Sequence, residues 1–238
     1  MAAVLNTNVA SMFNVNALSK SKMGLDSALA RLGSGVRINS AKDDATGLGL
    51  AIGFDSKLRG SIQAQRNAND GIAKAQTNDS YLSQITENLQ RMRELAVQLG
   101  GTASGTETTA LLAENARISG LVTATGAAVV NADGGTVTGV GVAFTAGTAV
   151  TATGIDTSLA AVATARAQFG ADMATFQSAA NNLGNSAVGF AAQLSSVLDT
   201  DYASETAHMT KYNILQQAGT AALAQANQAP QNITSLLR

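Results

Sequence analysis

Apolar side chains recur with helical spacing in two long stretches of the chain, one on each side of its middle. In the first stretch, steps of three and four residues connect Leu82, Ile85, Leu89, Met92, Ala96 and Leu99. In the second, this spacing runs for about forty residues through Leu159, Val162, Phe169, Met173, Phe176, Ala180, Leu183, Ala187, Phe190, Leu194 and Val197, with Arg166 as its one polar member. Heptad spacing is typical of coiled coils, and two such stripes separated by an insert favour antiparallel pairing in one bundle.

Weaker helical stripes occupy the two ends of the chain. Near the start they comprise Val4, Val9, Met12 and Phe13, followed by Leu25, Leu29, Leu32 and Val36; near the end they comprise Met209, Tyr212, Leu215, Gly219, Ala222 and Ala226. Residues 1–19 and 213–237 contain no Asp, Glu, Lys, Arg or His. Because apolar surface without charge usually marks an interface, we expect the ends to pair with each other and to be buried against other copies of the chain.

The middle of the chain, residues 122–154, is rich in Thr, Gly, Val and Ala and differs from both flanks. Residues 136–144 alternate with a period of two, and the Asn-Ala-Asp-Gly-Gly sequence at 131–135 is typical of turns. This pattern predicts one or two small β-hairpins, and a low-complexity loop is the alternative.

These patterns together predict a mainly α fold. We expect an elongated antiparallel helical bundle or coiled coil formed by both chain ends, with a small β-hairpin tip in the middle. The predicted domains are an inner terminal helical domain (1–43 with 200–238), a helical rod domain (44–121 with 155–199) and a variable β tip (122–154).

Composition excludes several kinds of chemistry. The 238 residues include no Cys and one His, which rules out disulfides, a cysteine nucleophile and zinc sites built from thiolates or several imidazoles. Charged residues make up 13% of the chain and its net charge is −1, a poor basis for binding nucleic acid. We therefore expect no enzymatic activity, catalytic residue, metal or cofactor.

Neither a secretory signal nor a membrane-spanning stretch is recognisable. The first charged residue is Lys20, and Asn6, Asn8, Asn14 and Asn16 interrupt the apolar residues before it. No apolar run reaches the 18 residues that a transmembrane helix requires. If the protein is exported, we expect a route without a cleaved leader and without membrane insertion.

A few polar positions invite a chemical interpretation, and each has a structural one. The glycines at 33 and 35 lack the spacing of a phosphate-binding loop and are expected to end the first helix. Asp43 and Asp44 are adjacent, so their side chains diverge, and helix capping or a local contact with Lys42 is expected for them. The same interpretation applies to Asp199 and Asp201. His208 lies in a helical stripe and is expected to be packed or exposed, without a catalytic role.

Several segments, read together, resemble bacterial flagellin. They are residues 5–8 (LNTN), 31–48 (RLGSGVRINSAKDDATGL), 66–72 (RNANDGI), 89–98 (LQRMRELAVQ), 201–205 (DYASE), 214–220 (ILQQAGT) and 223–238 (LAQANQAPQNITSLLR). The resemblance covers about residues 1–118 and 156–238 and omits the middle. In that family a variable outer part takes the place of residues 122–154.

This resemblance implies a structural subunit of the bacterial flagellar filament, which self-assembles into a hollow helical propeller for motility. Both termini would form the inner helical domain of the filament, with a core that includes Val4, Leu5, Val9, Met12, Phe13, Ile214, Leu215, Leu223, Leu236 and Leu237. The implied location is secreted and extracellular, in the flagellum. The implied partners are many copies of the chain itself, an export chaperone, the filament cap and hook-junction proteins.

The resemblance also implies recognition of the monomer by innate immune receptors. A Toll-like receptor surface maps onto Gln90, Arg91, Arg93, Glu94, Leu95 and Glu114, which are also expected to face a neighbouring subunit. The segment sensed by plant receptors includes Arg31, Arg37, Ile38, Asn39, Ser40, Ala41, Lys42, Asp43 and Asp44.

Two other functions share parts of this pattern. A hook–filament junction protein of the same superfamily has similar terminal sequences. A secreted binding protein or toxin built on coiled coils belongs to a different class, and polymerisation on filament seeds would separate it from a filament subunit.

Overall fold

A computed structural model describes residues 7–122, 129–130, 136–137 and 150–236, with side chains at 7–122 and 150–228. In chain order its elements are α1 (Val9–Ser34), α2 (Ala45–Gln98), α3 (Thr106–Ser119), β1 (Val129–Val130), β2 (Thr136–Val137), α4 (Ala152–Leu198) and α5 (Tyr202–Leu236). Helices from both chain ends pack antiparallel, α1 with α5 and α2 with α4, which confirms the predicted mainly α bundle.

The middle of the chain contributes the short strands β1 and β2. They pair antiparallel, with Val129 opposite Val137 and Val130 opposite Thr136. Strand β2 therefore begins where the alternating pattern begins. The predicted turn at 131–135 and the rest of the alternating stretch, 138–144, lie outside the described residues.

The chain forms two compact units, and both halves of the sequence contribute to each. The central unit comprises residues 55–191, and the terminal unit comprises residues 1–54 and 192–238. The unit boundaries fall within α2 and α4. The three-part division into domains stays a prediction of the sequence.

The central unit is built on a heptad seam that runs along α2. Its buried positions follow steps of three and four at Ser61, Ala64, Ala68, Gly71, Ala75, Asn78, Leu82, Ile85, Leu89, Met92 and Ala96. The predicted members from Leu82 to Ala96 are confirmed. Leu99 was predicted wrongly, because α2 ends at Gln98 and the Leu99 side chain is 51% exposed. Alanines and a glycine extend the seam beyond the part that the sequence pattern of large apolar residues predicted.

Helix α4 supplies the opposite side of this core. Its buried positions are Ile155, Ser158, Val162, Ala165, Phe169, Asp172, Phe176, Ala180 and Leu183. Of the other predicted members, Leu159, Met173, Ala187, Phe190, Leu194 and Val197 are half-buried. Arg166 lies beside the seam, which Ala165 occupies, and its guanidinium binds the Asp79 carboxylate at 2.8 Å.

The antiparallel register of α2 and α4 follows from contacts along their length. Arg93 Nε donates to Asp156 at 2.5 Å, and Arg166 Nε donates to Asp79. Farther along, a Cβ on Gly71 would lie 3.0 Å from the Phe176 ring, so this glycine admits the aromatic side chain. At this point a large residue of α4 meets the smallest residue of α2, and the two helices pack closely.

Helix α3 completes the central core. Ile118 is buried in the cluster that also holds Leu82, Met92 and Phe169. Asn115, also buried, accepts a hydrogen bond from Asn88 Nδ2 at 2.8 Å. This polar contact satisfies a buried amide and fixes α3 against α2.

Candidate assembly surface

The terminal unit pairs α1 with α5 along a second heptad seam. On α1 the half-buried or buried positions at heptad spacing are Ser11, Asn14, Leu18, Ser21, Leu25, Ala28 and Leu32. On α5 they are Glu205, Met209, Tyr212, Gln216, Gly219, Leu223 and Ala226. Most of these side chains are small or polar. The pairing therefore leaves many of the large apolar side chains of both helices outside the seam.

Five of the exposed apolar residues of the terminal unit define what we call the assembly surface. It comprises Val9, Met12, Phe13, Ile214 and Leu215, with exposed fractions of 68%, 60%, 73%, 61% and 43%. Val9, Met12 and Phe13 lie at i, i+3 and i+4 and so share one face of α1. All five belong to the residues that the sequence assigns to the filament core.

The other predicted core residues are distributed differently. Leu223 is half-buried on the α5 seam, facing α1. Leu236 is the last residue of α5, where only the backbone is described, and Val4, Leu5 and Leu237 lie outside the described residues.

In addition to Val9, Met12 and Phe13, two leucines of the predicted terminal stripes do not join the α1–α5 seam. Leu29 is 49% exposed although its stripe partners Leu25, Leu32 and Val36 are half-buried. Leu215 likewise points to solvent, and Gln216 takes the seam position beside it. Sequence spacing places apolar side chains on a helix, but it does not show which surface covers them.

Two glycines admit side chains from the opposite helix. A Cβ on Gly24 would lie 2.5 to 2.8 Å from three atoms of the Tyr212 ring. A Cβ on Gly219 would lie 3.3 Å from Cδ1 of Leu18. The sequence stripes included Tyr212 and Gly219, but they missed Gly24. Its signal was a lone glycine within a helical pattern, which often has a packing reason.

The segment that links α1 to α2 is tied to the segment that links α4 to α5. Helix α1 ends at Gly35, whose φ of 74° lies in the left-handed region that glycine tolerates. The Gly35 carbonyl accepts from Thr200 N at 3.0 Å, and Arg37 N donates to the Leu198 carbonyl at 2.6 Å. The Arg37 guanidinium adds a 2.9 Å bond to the Val197 carbonyl. The predicted helix break is confirmed at Gly35, whereas Gly33 lies inside α1.

Asp43 and Asp44 both accept hydrogen bonds from backbone groups, but of the two only Asp44 caps a helix as predicted. Asp43 Oδ2 accepts from the backbone N of Asn39 and Ser40 and from the Ser40 hydroxyl, at 3.0 to 3.2 Å. These hydrogen bonds, those from Ser40 first, hold the pKa of Asp43 below its ordinary value. Asp44 Oδ1 accepts from Gly47 N at 2.9 Å and so caps the start of α2.

The corresponding pair near the C-terminus divides its roles. Asp201 Oδ1 accepts from Ala203 N at 2.9 Å, which caps α5 as the sequence predicts. Asp199 instead accepts from the Ser195 hydroxyl at 2.6 Å.

The predicted plant-receptor segment is held within the terminal unit. Arg31 lies in the last turn of α1, 3.8 Å from Glu205 of α5. Ile38 is buried, while Asn39, Ser40, Ala41 and Lys42 are exposed. The segment thus joins one buried anchor to a capped, exposed turn.

The predicted Toll-like receptor residues lie on α2 and α3. Gln90, Arg91, Arg93 and Glu94 are exposed on α2, and Leu95 is half-buried against the central core. Gln90, Arg93 and Glu94 line a shallow groove together with Val97 and Gln98. Glu114, on α3, is half-buried.

Intramolecular ion pairs hold several of these side chains in place. Arg91 Nε donates to Glu107 at 2.8 Å, and this bond raises the pKa of Arg91. The bond to Asp156 raises the pKa of Arg93 in the same way. Glu114 accepts two bonds from Arg117, at 2.7 and 2.8 Å, and these lower its pKa. Exposed pairs of this kind orient side chains more than they stabilise the fold.

Other features give little indication of chemistry. The exposed His208 ring stacks on Tyr212, with centroids 6.4 Å apart. Across the described ranges, His, Asp and Glu side chains form no group of three that could hold a metal ion. No helix in the described part of the chain combines the length and the apolar character that crossing a membrane requires.

Comparison with known proteins identifies the family. The family model for the bacterial flagellin N-terminal helical region matches residues 5–134, and the model for the C-terminal helical region matches residues 152–237. The chain belongs to the bacterial flagellin family. The N-terminal model covers α1 to α3, and the C-terminal model covers α4 and α5.

Curated flagellins of Salmonella are similar to this chain over one stretch. The Phase 1 flagellin of Salmonella naestved and the flagellins of Salmonella budapest and Salmonella derby are each 54% identical to it over 108 residues. This stretch is 45% of the chain and 21% of each relative. The matched stretch thus spans about a fifth of the length of these flagellins.

Proposed function

We propose that this flagellin is a structural subunit of a bacterial flagellar filament. It self-assembles into a hollow helical propeller that drives motility, and it works outside the cell. The observation that carries the proposal is the assembly surface, which the α1–α5 pairing leaves open to solvent.

Burial of this surface gives a driving force for assembly. Fully burying one Phe, Met, Leu or Ile side chain stabilises by roughly 1.5–3 kcal/mol. Covering Val9, Met12, Phe13, Ile214 and Leu215 with other copies of the chain therefore contributes several kcal/mol per subunit, at the order-of-magnitude level.

The absence of charge removes an opposing cost. No Asp, Glu, Lys, Arg or His side chain occurs in residues 1–19 or 213–237, where the assembly surface lies. Buried charges without partners are expensive to desolvate, so an uncharged end enters a crowded core at low cost. Charged side chains would instead keep these helices in water.

The test is elongation of filament seeds by purified monomer, followed by electron microscopy. We expect the full chain to extend the seeds and a variant lacking residues 213–238 to fail. Thermal unfolding of the central unit serves as the control, because the deletion leaves residues 55–191 untouched. Normal elongation by the shortened variant would contradict the proposal.

The same assay separates a filament subunit from a hook–filament junction protein. A subunit lengthens the seed in proportion to time and monomer concentration. A junction protein adds a limited layer and then stops. Growth that stops after such a layer would favour the junction protein.

The finer partners follow from this role. An export chaperone, the filament cap and hook-junction proteins would each meet a chain end that is uncharged and apolar. We therefore expect these partners to bind the chain ends through uncharged contacts, as other copies of the chain would.

Recognition of the monomer by a Toll-like receptor is supported by the exposure of Gln90, Arg91 and Glu94 along α2. The expected result is weaker binding of a purified receptor ectodomain by Gln90→Ala and by Glu94→Ala. Asn69→Ala, on the same helix and also exposed, is the control. Equal loss of binding in all three variants would count against a specific surface.

For plant receptors, the supporting feature is the exposed turn at residues 39–44, stabilised by Asp43 and joined to the buried Ile38. A synthetic peptide of residues 31–48 should trigger the response in plant cells. Failure of both this peptide and the whole chain would exclude that recognition.

A further inference from the structure

The fit of Tyr212 against Gly24 is the closest approach of a side chain to a glycine position in the α1–α5 seam. A Cβ at position 24 would lie 2.5 Å from Cζ and 2.6 Å from Cε1 of the Tyr212 ring. The ring is also stacked on His208, with planes 25° apart. A larger residue at position 24 would therefore require the Tyr212 ring to move.

In a second contact farther along the seam, the roles of the two helices are reversed. Leu18 of α1 packs against Gly219, which is the only glycine in the sequence of α5. Each helix thus offers one glycine to a large side chain of the other. Two such contacts, one in each direction, fix the axial position of the helices more strongly than either contact alone.

Hydrogen bonds continue this register towards the chain ends. Asn14 Nδ2 donates to the Ala222 carbonyl at 3.4 Å, and Asn8 Nδ2 donates to the Ala226 carbonyl at 2.9 Å. Both acceptors are backbone groups of α5, so these bonds depend on the alignment of the helices and on the two asparagines alone.

Other registers offer Tyr212 no equivalent place. A shift of one heptad along α1 would set the ring against Ala17 or Arg31, both of which carry a Cβ. The remaining glycine of α1, Gly33, is nine residues from Gly24, so it is not at an equivalent heptad position. A Cβ on Gly33 would meet no atom within 4 Å.

We propose that Gly24 and Tyr212 form a positioning pair that sets the register of α1 on α5 for assembly. The pair fixes how far along the seam Val9, Met12 and Phe13 of α1 lie from Ile214 and Leu215 of α5, and so sets the spacing of the apolar side chains that other copies of the chain must meet. This inference rests on the proposed function, since the aligned residues are those of the assembly surface.

The first experiment measures elongation of filament seeds by four variants and the unchanged chain. Gly24→Ala is expected to slow elongation by about tenfold, the order expected from overpacking a filled contact. Gly33→Ala, the matched control in the same helix, should elongate at the original rate. Tyr212→Ala removes the ring, so the double variant Gly24→Ala/Tyr212→Ala should elongate faster than Gly24→Ala alone.

The second experiment measures the register itself. The chain has no Cys, so cysteines introduced at the exposed positions Ser19 and Gln217 can carry two spin labels. In filaments diluted with unlabelled protein, Gly24→Ala should shift or broaden the distance between the labels, because each residue of slip moves one helix about 1.5 Å along the other. The double variant should restore the original distance, which a general loss of stability would not explain.

The outcomes separate this inference from the proposed function. If the unchanged chain never elongates seeds, the proposed function fails. If the unchanged chain elongates and Gly24→Ala matches it in rate and label distance, the positioning pair is overturned. Additive effects of Gly24→Ala and Tyr212→Ala would overturn it as well, because they would show that the two residues act independently.

Discussion

The central and terminal units use the same heptad spacing but occupy it with different side chains. In the central unit the seam encloses Leu82, Ile85, Leu89, Phe169 and Phe176, all at most 1% exposed. In the terminal unit, the buried apolar residues among the described side chains are Ala28, Ile38 and Ala51. Many of the large apolar residues of this unit, Phe13 and Ile214 among them, point outward instead.

The difference shows that one pattern can serve two kinds of burial. A seam filled with large apolar residues buries them within one chain and stabilises it directly. A seam that contains more small and polar residues brings helices together while leaving many of the large residues exposed. The central unit is therefore expected to be stable in the monomer, and the terminal unit is expected to gain most of its stability on assembly.

A pair of phenylalanine substitutions gives the largest expected contrast. Phe169→Ala should destabilise the monomer by about 3–5 kcal/mol, because it leaves a cavity in a fully buried site. Phe13→Ala, at a side chain that is 73% exposed, should change monomer stability little and should slow seeded elongation. Denaturant unfolding and elongation assays check the pair, and equal destabilisation by both would remove the distinction between the units.

Two serine substitutions compare the seams on a smaller scale. The Ser61 hydroxyl is buried in the central seam without a hydrogen-bond partner, so Ser61→Ala should stabilise the chain by about 1 kcal/mol. Ser21 of the terminal seam donates to the Ala17 carbonyl at 3.0 Å, so Ser21→Ala should have little effect. Thermal unfolding of both variants is the measurement. Loss of stability in Ser61→Ala would contradict the account of that seam.

The smallest expected effect concerns acid and the turn at Asp43. Because the folded pKa of Asp43 is lowered, its stabilising effect is present above the ordinary carboxyl pKa of about 3.9 and is lost as pH falls through the folded value. Exchange of the Asn39 and Ser40 amide hydrogens should therefore lose protection in strong acid. Asp43→Asn should show reduced protection already at neutral pH, and an unchanged exchange pattern would contradict the role of these bonds.

How far the sequence predicts this fold depends on the size of the side chains. The stripe from Leu82 to Ala96 was recognisable because large apolar residues stand out against polar neighbours. The stretch from Ser61 to Asn78 was not, since alanine, glycine and serine occur at buried and exposed positions alike. In the same way, Leu29 and Leu215 were placed on helical stripes, but spacing could not show that their side chains face away from the partner helix.

For the assembly surface, the sequence provided its chemistry but not its geometry. The absence of charge and the resemblance to flagellin together indicated Val9, Met12 and Phe13. The contact between Gly24 and Tyr212 could not be predicted, because it joins residues 188 positions apart and a glycine carries no sign of the ring that packs on it.

The hydrogen bonds between the two connecting segments of the terminal unit have a mechanical consequence. Backbone hydrogen bonds join Gly35 to Thr200 and Arg37 to Leu198, close to the end of α1 and the beginning of α5. A pull along α5 therefore loads α1 through these bonds at the same time, and slippage would require several of them to break together. The two helices of the terminal unit therefore bear tension together.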